Sequence, residues 1–141
     1  LLTEVCRYAL RMQEDGELRA IAGKTGREAV WALAWAYRRF AQQHRELYWL
    51  VMDTAAGEPR VLDDAAARFT APLKQVLSGF RLPPREEIHF RRMFRAIVHG
   101  FASQEDEGFF SHYPASTELS FEFAIQRFID CVLEAEKRNP S

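Results

Sequence analysis

A chain of 141 residues, of which 48% are hydrophobic and 28% charged, is long enough for one domain with its own core and short for two. The net charge of −1 excludes a strongly basic surface, so these residues alone are not expected to bind duplex DNA or an anionic membrane. No run of about 18 apolar residues predicts a membrane-spanning helix, and Cys6 and Cys131 lie on apolar helical faces, as is typical of free thiols in a reducing compartment. We therefore expect a single cytoplasmic domain over residues 1–141.

The first predicted helix begins close to Leu2, because apolar residues recur at helical spacing as far as Met12. Glu14, Asp15 and Gly16 interrupt that pattern. We expect the helix to stop there, with a short continuation over residues 18–22 before a glycine-containing turn ends the region.

The second predicted helix, residues 27–44, has the most strongly helical composition of the chain. Its core stripe consists of Val30, Leu33, Ala34, Tyr37, Phe40 and Ala41. Trp31 and Trp35 lie beside that stripe, so they need a second surface to cover them. Residues 46–53 follow as an apolar run without alternation. We interpret this run as a short buried helix, because no second strand is available to pair with it.

A further helical pattern covers residues 62–80 and contains Pro72. Proline lacks a backbone N–H and clashes with the carbonyl one turn earlier. We therefore expect this helix to kink or break near Thr70, which would leave space beside it.

Residues 90–105 are predicted to form one helix around which the other segments are arranged. Its apolar stripe consists of Phe90, Met93, Phe94, Ile97 and Phe101. Gly100 costs about 1 kcal/mol relative to alanine inside a helix, and the close approach of another helix would explain it. His99 lies on the opposite side, where it is either satisfied at a helix interface or by solvent, or contacts a ligand or a second subunit.

The last predicted helix, residues 118–137, with a cap at Ser116 or Thr117, has an apolar face about 160° wide. Packing on a single core does not require so wide a face. We therefore predict a homodimer in which the last two long helices of each copy form a four-helix bundle. The predicted interface residues are His99, Gly100, Phe121, Ile125, Phe128 and Val132.

The chain lacks the patterns that are typical of metal and catalytic sites. No nucleophile elbow and no phosphate-binding glycine motif occur. The histidines, whose spacing is not that of zinc ligands, are His44, His89, His99 and His112. We interpret the acidic run at residues 105–107 as a solvated turn at a helix end. No metal or other cofactor is expected, and we do not expect an enzyme.

Aromatic and methionine side chains concentrate on segments that should meet in one bundle. For any one of them ordinary core packing is the simpler explanation, but together they are typical of an apolar ligand cavity. We predict a pocket for a small hydrophobic or aromatic effector, lined by Trp31, Trp35, Phe40, Tyr48, Met52, Phe69, Met93 and Phe94. Tyr37 and nearby histidines would supply its polar contacts.

Three stretches of the chain resemble the C-terminal regulatory domain of TetR-type transcriptional regulators, in particular a subgroup with a Trp…His-Gly signature. They are AYRRFAQQHRELY at residues 36–48, IVHGFA at residues 97–102, and the final helix at residues 121–133. The similarity covers most of residues 27–133. It implies an all-α bundle of about six helices with an effector pocket in each protomer of a homodimer.

The resemblance also implies a helix-turn-helix domain that precedes this one and binds operator DNA, with residues 1–15 as the connecting helix. The chain would then be the sensing and dimerisation domain of a repressor, in which a ligand shifts operator affinity. Two alternatives stay open at this point. One is a helical dimerisation scaffold without a ligand, and the weaker one is a small helical enzyme.

Overall fold

Six α-helices and one short 3₁₀ helix make up residues 1–139, the part of the chain that the computed structural model describes. The α-helices are α1 (Leu2–Ile21), α2 (Gly26–Gln43), α3 (Arg45–Ala55), α4 (Pro59–Leu77), α5 (Pro84–Asp106) and α6 (Thr117–Lys137), and the 3₁₀ helix is Phe109–His112. The predicted all-α class is therefore confirmed. None of these helices is long and apolar enough to cross a membrane.

The helix ends follow local sequence signals. The Ser116 hydroxyl accepts a hydrogen bond from the Leu119 N–H at 3.4 Å and caps α6, as predicted. Pro84 lies in the first turn of α5, where its missing N–H costs no helical hydrogen bond. The turn between α1 and α2 contains Gly23 and Gly26 with φ of 75° and 58°, which side chains disfavour.

Two predicted interruptions are wrong. α1 continues through Gly16 instead of stopping there, because its inner face, which includes Leu10 and Ile21, packs on α2, α3 and α4. That burial exceeds the cost of about 1 kcal/mol for one glycine. Of the kink or break predicted near Thr70, the break is absent, since α4 runs unbroken from Pro59 to Leu77 with Pro72 buried inside it, and the kink stays a prediction. Phe69 and Leu73 are buried on either side of Pro72 and hold the helix against its neighbours.

The helix that contacts all the others is α2, not the predicted helix at residues 90–105. α2 packs against α1, α3, α4, α5 and α6, whereas α5 packs against α2, α4, α6 and the 3₁₀ helix. Its buried residues include every member of the predicted core stripe. Small side chains at Ala29, Ala34 and Ala41 allow neighbouring helices to approach it on several sides.

The four α6 residues that we predicted at a dimer interface lie instead in the protomer's own core. Phe121, Ile125, Phe128 and Val132 each have 0% of their surface exposed. The reason is that α6 is covered from two sides, by α2 and by α5. The Phe128 ring meets Phe90 and Phe94 edge to face, and Phe121 meets Trp35 and Phe101 in the same way.

The acidic run at the end of α5 is also more than a solvated turn. Glu105 forms a bidentate pair with Arg38 of α2, with N to O distances of 3.1 and 2.8 Å. Asp106 pairs with Arg45 at the start of α3. These pairs fasten the C-terminal turn of α5 to α2 and α3, and the Arg38 pair is largely shielded from water.

Two leucines of α4 provide a matched test of this core. Leu73 is 2% exposed and Leu62 is 53% exposed. We expect Leu73→Ala to lower the free energy of unfolding by about 2–5 kcal/mol, because it removes buried methyl groups and leaves a cavity. Leu62→Ala should change it by less than about 0.5 kcal/mol. Urea unfolding of both variants measures this, and equal losses would contradict the described packing of α4.

Candidate functional site

Polar side chains from four helices meet in the interior of the bundle. This polar cluster consists of Gln13 and Glu17 of α1, Tyr37 of α2, Tyr48 of α3, and Arg95 and His99 of α5. Gln13, Glu17, Tyr37 and Tyr48 are each at most 3% exposed. Buried polar groups of this kind cost stability unless they are hydrogen-bonded, so their partners need to be accounted for.

A hydrogen-bond chain joins α2, α3 and α5. The hydroxyl oxygens of Tyr37 and Tyr48 lie 2.5 Å apart, and the Tyr48 hydroxyl lies 2.6 Å from Nδ1 of His99. Burial, followed by the positive charge of Arg95, lowers the pKa of His99 and favours the neutral ring. A neutral ring can accept at Nδ1, so one consistent assignment has Tyr37 donating to Tyr48 and Tyr48 donating to His99.

The two tyrosines remain protonated over the physiological pH range. Burial raises the pKa of Tyr37 to about 12, against a smaller opposing effect of the Arg95 charge. Burial, together with the neighbouring Tyr37, also raises the pKa of Tyr48. Both hydroxyls can therefore act as neutral hydrogen-bond donors rather than as phenolates.

On the α1 side, the cluster contains the buried carboxyl group of Glu17. The Gln13 side-chain amide donates to the Glu17 carboxyl at 3.2 Å. Burial raises the pKa of Glu17 to about 8, although the Gln13 hydrogen bond and the charge of Arg95 act in the opposite direction. Glu17 is therefore mostly neutral near pH 7, which leaves little negative charge inside the cluster.

Arg95 carries the positive charge that acts on the other ionisable groups of the cluster. Its guanidinium carbon lies 4.1 Å from the centre of the Phe69 ring, a cation–π contact. Its charge acts on Glu17, Tyr37, Tyr48 and His99. Its Nη1 atom is inaccessible to solvent and has no hydrogen-bond partner within residues 1–139. The half-buried guanidinium thus has an aromatic ring beside it but no ion pair within residues 1–139.

Arg95 also lines a cleft that opens between α4 and α5. This α4–α5 cleft has a volume of about 420 Å³. Its lining residues are Thr70, Leu73, Ile88, Arg91, Arg92 and Arg95. Arg91 is held at 3.4 Å by Glu87 of its own helix, so the cleft keeps an excess of positive charge.

The eight residues predicted to line one effector pocket do not line a common cavity. Tyr48, Phe69 and Phe94 belong to the core around the polar cluster. Trp31 and Trp35 lie at a separate open cleft of about 480 Å³ between α1 and α2. Phe40 lines a third cleft of about 370 Å³, Met93 is exposed on the outer side of α5, and Met52 is half-buried against the core.

The two remaining predicted interface residues, His99 and Gly100, lie on different sides of α5. His99 faces α3 of its own protomer, where it contacts Tyr48 and Trp49, so its ring is not presented to a partner. Gly100 lies on the outer side of α5, and an added Cβ atom would meet nothing within 4 Å. The expected close approach of a second helix at Gly100 therefore does not occur within the protomer.

Sequence reasoning missed the ionisable half of the polar cluster. Gln13 and Glu17 continue the spacing of Cys6 and Leu10 along the buried face of α1. That spacing indicates that both side chains are buried. Arg95 carried no comparable signal, because an arginine beside two others on α5 is typical of a solvated face. Within residues 1–139, no group of three His, Cys, Asp or Glu side chains could hold a metal ion.

Comparison with known proteins agrees with this architecture. The family described as "Tetracyclin repressor-like, C-terminal domain" matches residues 30–128. A solved structure of a protein with unknown function from Rhodococcus sp. RHA1 is similar with a TM-score of 0.77 and 19% identity, over 93% of this chain and 72% of that chain. The structure of "putative regulatory protein SCO4313" is similar with a TM-score of 0.72 and 24% identity, over 90% of this chain and 71% of that chain. No curated protein matches significantly.

The buried carboxyl group predicts how stability depends on pH. Below about pH 4.5 Glu17 is protonated in both the folded and the unfolded chain. Between pH 4.5 and about 8 only the unfolded chain releases the proton, so the free energy of unfolding falls by up to about 1.4 kcal/mol per pH unit. We expect Glu17→Gln, which cannot ionise, to gain stability relative to the parent as the pH rises from 5 to 8.

Urea unfolding at several pH values measures the difference in the free energy of unfolding between Glu17→Gln and the parent. Both proteins contain His99, so its contribution to the pH dependence cancels in this difference. Asp15→Asn is the matched control, because Asp15 is exposed on the same helix. Its difference from the parent should stay nearly constant over that range. Parallel pH profiles for the parent and Glu17→Gln would contradict the burial of an uncharged carboxyl group.

Proposed function

The chain belongs to the family of tetracyclin repressor-like C-terminal domains, and from this we propose that it is the effector-sensing and dimerisation domain of a TetR-type transcriptional repressor. The family assignment supports a regulatory rather than an enzymatic role. In such a protein a helix-turn-helix domain would precede residues 1–141 and bind operator DNA in the cytoplasm. The proposed effector is a small molecule with an apolar or aromatic part.

The observation that carries this proposal is the polar cluster. Its hydrogen bonds join α2, α3 and α5, and the buried Glu17 of α1 interacts electrostatically with Arg95 of α5. In the proposed protein α1 is the connection to the DNA-binding domain. A change at Arg95 or His99 would therefore act on the helix that carries the output, because Arg95 and Glu17 interact electrostatically.

The mechanism we propose is a shift between two arrangements of the bundle. A ligand changes operator affinity only if it binds one arrangement more tightly than the other. The cluster is suited to such a difference, because its tyrosine–tyrosine and tyrosine–histidine hydrogen bonds are short and weaken steeply when they are stretched or misaligned. A ligand that displaces α4 or α5 would lengthen or break them.

The main alternative is a dimerisation scaffold without an effector. The clefts of about 370, 420 and 480 Å³ open to solvent. Their volumes are nevertheless in the range of small-molecule sites, and two of them border the cluster, one at Gln13 and one at Arg95. That adjacency favours the sensor over the scaffold.

The proposed function is tested with the intact protein that contains this domain. Fluorescence anisotropy should show specific binding to operator DNA, which a ligand of this domain weakens. The 141-residue chain alone, with its net charge of −1, should bind duplex DNA only weakly. Intact protein that binds no DNA, or whose DNA affinity no ligand of the domain changes, would contradict the proposal.

The second part of the proposal is a homodimer formed by the outer faces of α5 and α6. These faces expose Met93 (37%), Leu119 (62%) and Phe123 (61%). Gly100 lies on the same side of α5 as Met93 and leaves room for a partner helix. Covering such a surface with a second copy would bury apolar side chains that water otherwise surrounds.

We expect Phe123→Asp to weaken association at least tenfold, because it places a charge in the proposed interface. Gly100→Leu should also weaken it, since the added side chain would separate the partners. Sedimentation equilibrium at micromolar concentration measures both effects, and circular dichroism checks that helical content is kept.

The matched control is Leu62→Asp, which introduces the same charge at an exposed position of α4. It should leave association unchanged. A monomeric parent, or association of Phe123→Asp and Gly100→Leu equal to that of the parent, would remove the support for this interface.

A further inference from the structure

We propose that the α4–α5 cleft binds an amphipathic organic anion, whose carboxylate or phosphate group pairs with Arg95 and whose apolar part lies against Leu73 and Ile88. This inference rests on the proposed effector-sensing role, because it names the chemical class of the effector. It differs from the predicted effector pocket, whose eight residues do not line a common cavity.

The first observation is the unpaired charge of Arg95. Its guanidinium stacks on Phe69, yet Nη1 has neither solvent nor a hydrogen-bond partner within residues 1–139. The rest of this half-buried side chain lines the cleft, so an anion from outside the chain would pair with the accessible part of its guanidinium. By contrast, Arg38, which is buried, is held by Glu105 in a bidentate pair.

The second observation is the charge of the surrounding groups. Arg91 and Arg92 line the same cleft as Arg95, and the only carboxylate that pairs with any of the three within residues 1–139 is Glu87, on Arg91. Inside the bundle, Arg95 interacts electrostatically with Glu17, which burial keeps largely protonated near pH 7. The cleft therefore attracts anions, and its planar guanidinium groups suit carboxylates and phosphates.

The third observation is the apolar part of the cleft. Leu73 of α4 and Ile88 of α5 contribute to its lining, and Ile88 is exposed. A volume of about 420 Å³ accommodates a short acyl chain or a single ring beside the charged group. Leu73 is only 2% exposed, so the apolar surface that an inorganic ion would leave in water belongs mainly to Ile88, and an anion with an apolar part is the better match.

Binding of an anion would reach the polar cluster through Arg95. The positive charge of Arg95 lowers the pKa of His99 and that of Glu17. An anion paired with Arg95 would offset that charge, so the pKa of His99 should rise when the cleft is occupied. This readout separates pairing with Arg95 from adsorption elsewhere on the surface.

Isothermal calorimetry on the 141-residue chain tests the proposal with octanoate, octyl phosphate and octan-1-ol. We expect at least one of the two anions to bind at least tenfold more tightly than the alcohol, and comparison of the two anions tells carboxylate from phosphate. Arg95→Met, which keeps an apolar stem, should weaken anion binding at least tenfold, and Arg95→Lys should restore part of it.

Arg39→Met is the matched control, because it removes one positive charge from an exposed position on α2 and should change binding less than twofold. Thr70→Phe, which fills the cleft without touching Arg95, should also abolish binding and serves if Arg95→Met does not fold. The His99 resonance should shift its titration upward with octanoate, whereas that of exposed His112 should not.

Equal affinity for octanoate, octyl phosphate and octanol, unchanged anion affinity in Arg95→Met, or no binding of either anion at millimolar concentration would overturn the proposal. These outcomes differ from a failure of the sensing role. If an anion binds through Arg95 but leaves the operator affinity of the intact protein unchanged, the anion site stands and the sensing role falls. If a neutral ligand releases DNA from an Arg95→Met protein, the sensing role stands and the anion proposal falls.

Discussion

α2 lies against each of the other five α-helices, and this arrangement removes water from its polar side chains as well as from its apolar ones. Tyr37 and Arg38 are adjacent in the sequence and both buried, but they face different neighbours. Tyr37 is satisfied by Tyr48 of α3, and Arg38 by Glu105 of α5. The polar contacts therefore fix how α3 and α5 are oriented around α2, since apolar packing alone tolerates small rotations.

The two shielded arginines of the bundle differ in their electrostatic state. Arg38 has a carboxylate at hydrogen-bond distance, so its pair serves the fold and leaves no charge for a ligand. Both guanidinium groups lie against aromatic rings, but the acidic group that interacts with Arg95 is the mostly neutral Glu17. A fold optimised only for stability would place an acid beside Arg95 or replace it with an apolar residue.

Helical periodicity predicted the number of α-helices and most of their bounds, because the apolar stripes are long and regular. It failed where packing outweighed local signals, as at Gly16 and Pro72, which lie inside continuous helices. It also misjudged the dimer face, since the width of an apolar stripe does not tell whether a second protomer or a second helix of the same chain covers it. The polar cluster could be predicted only in part. Its tyrosines have the pattern of ordinary core residues, and Arg95 has the pattern of a solvated helix face.

The order of the helices along the chain has a consequence for how the domain folds. α1, α2, α3 and α4 contact one another and all lie within residues 2–77, so these contacts close short loops and can form before α5 and α6 are synthesised. Arg95 and His99 lie on α5 and are therefore synthesised later. Tyr37 and Tyr48 can approach each other before α5 is present, but the hydrogen bond between Tyr48 and His99 cannot form until then. The hydrogen-bond chain of the interior is therefore expected to be completed only after most of the helices have formed.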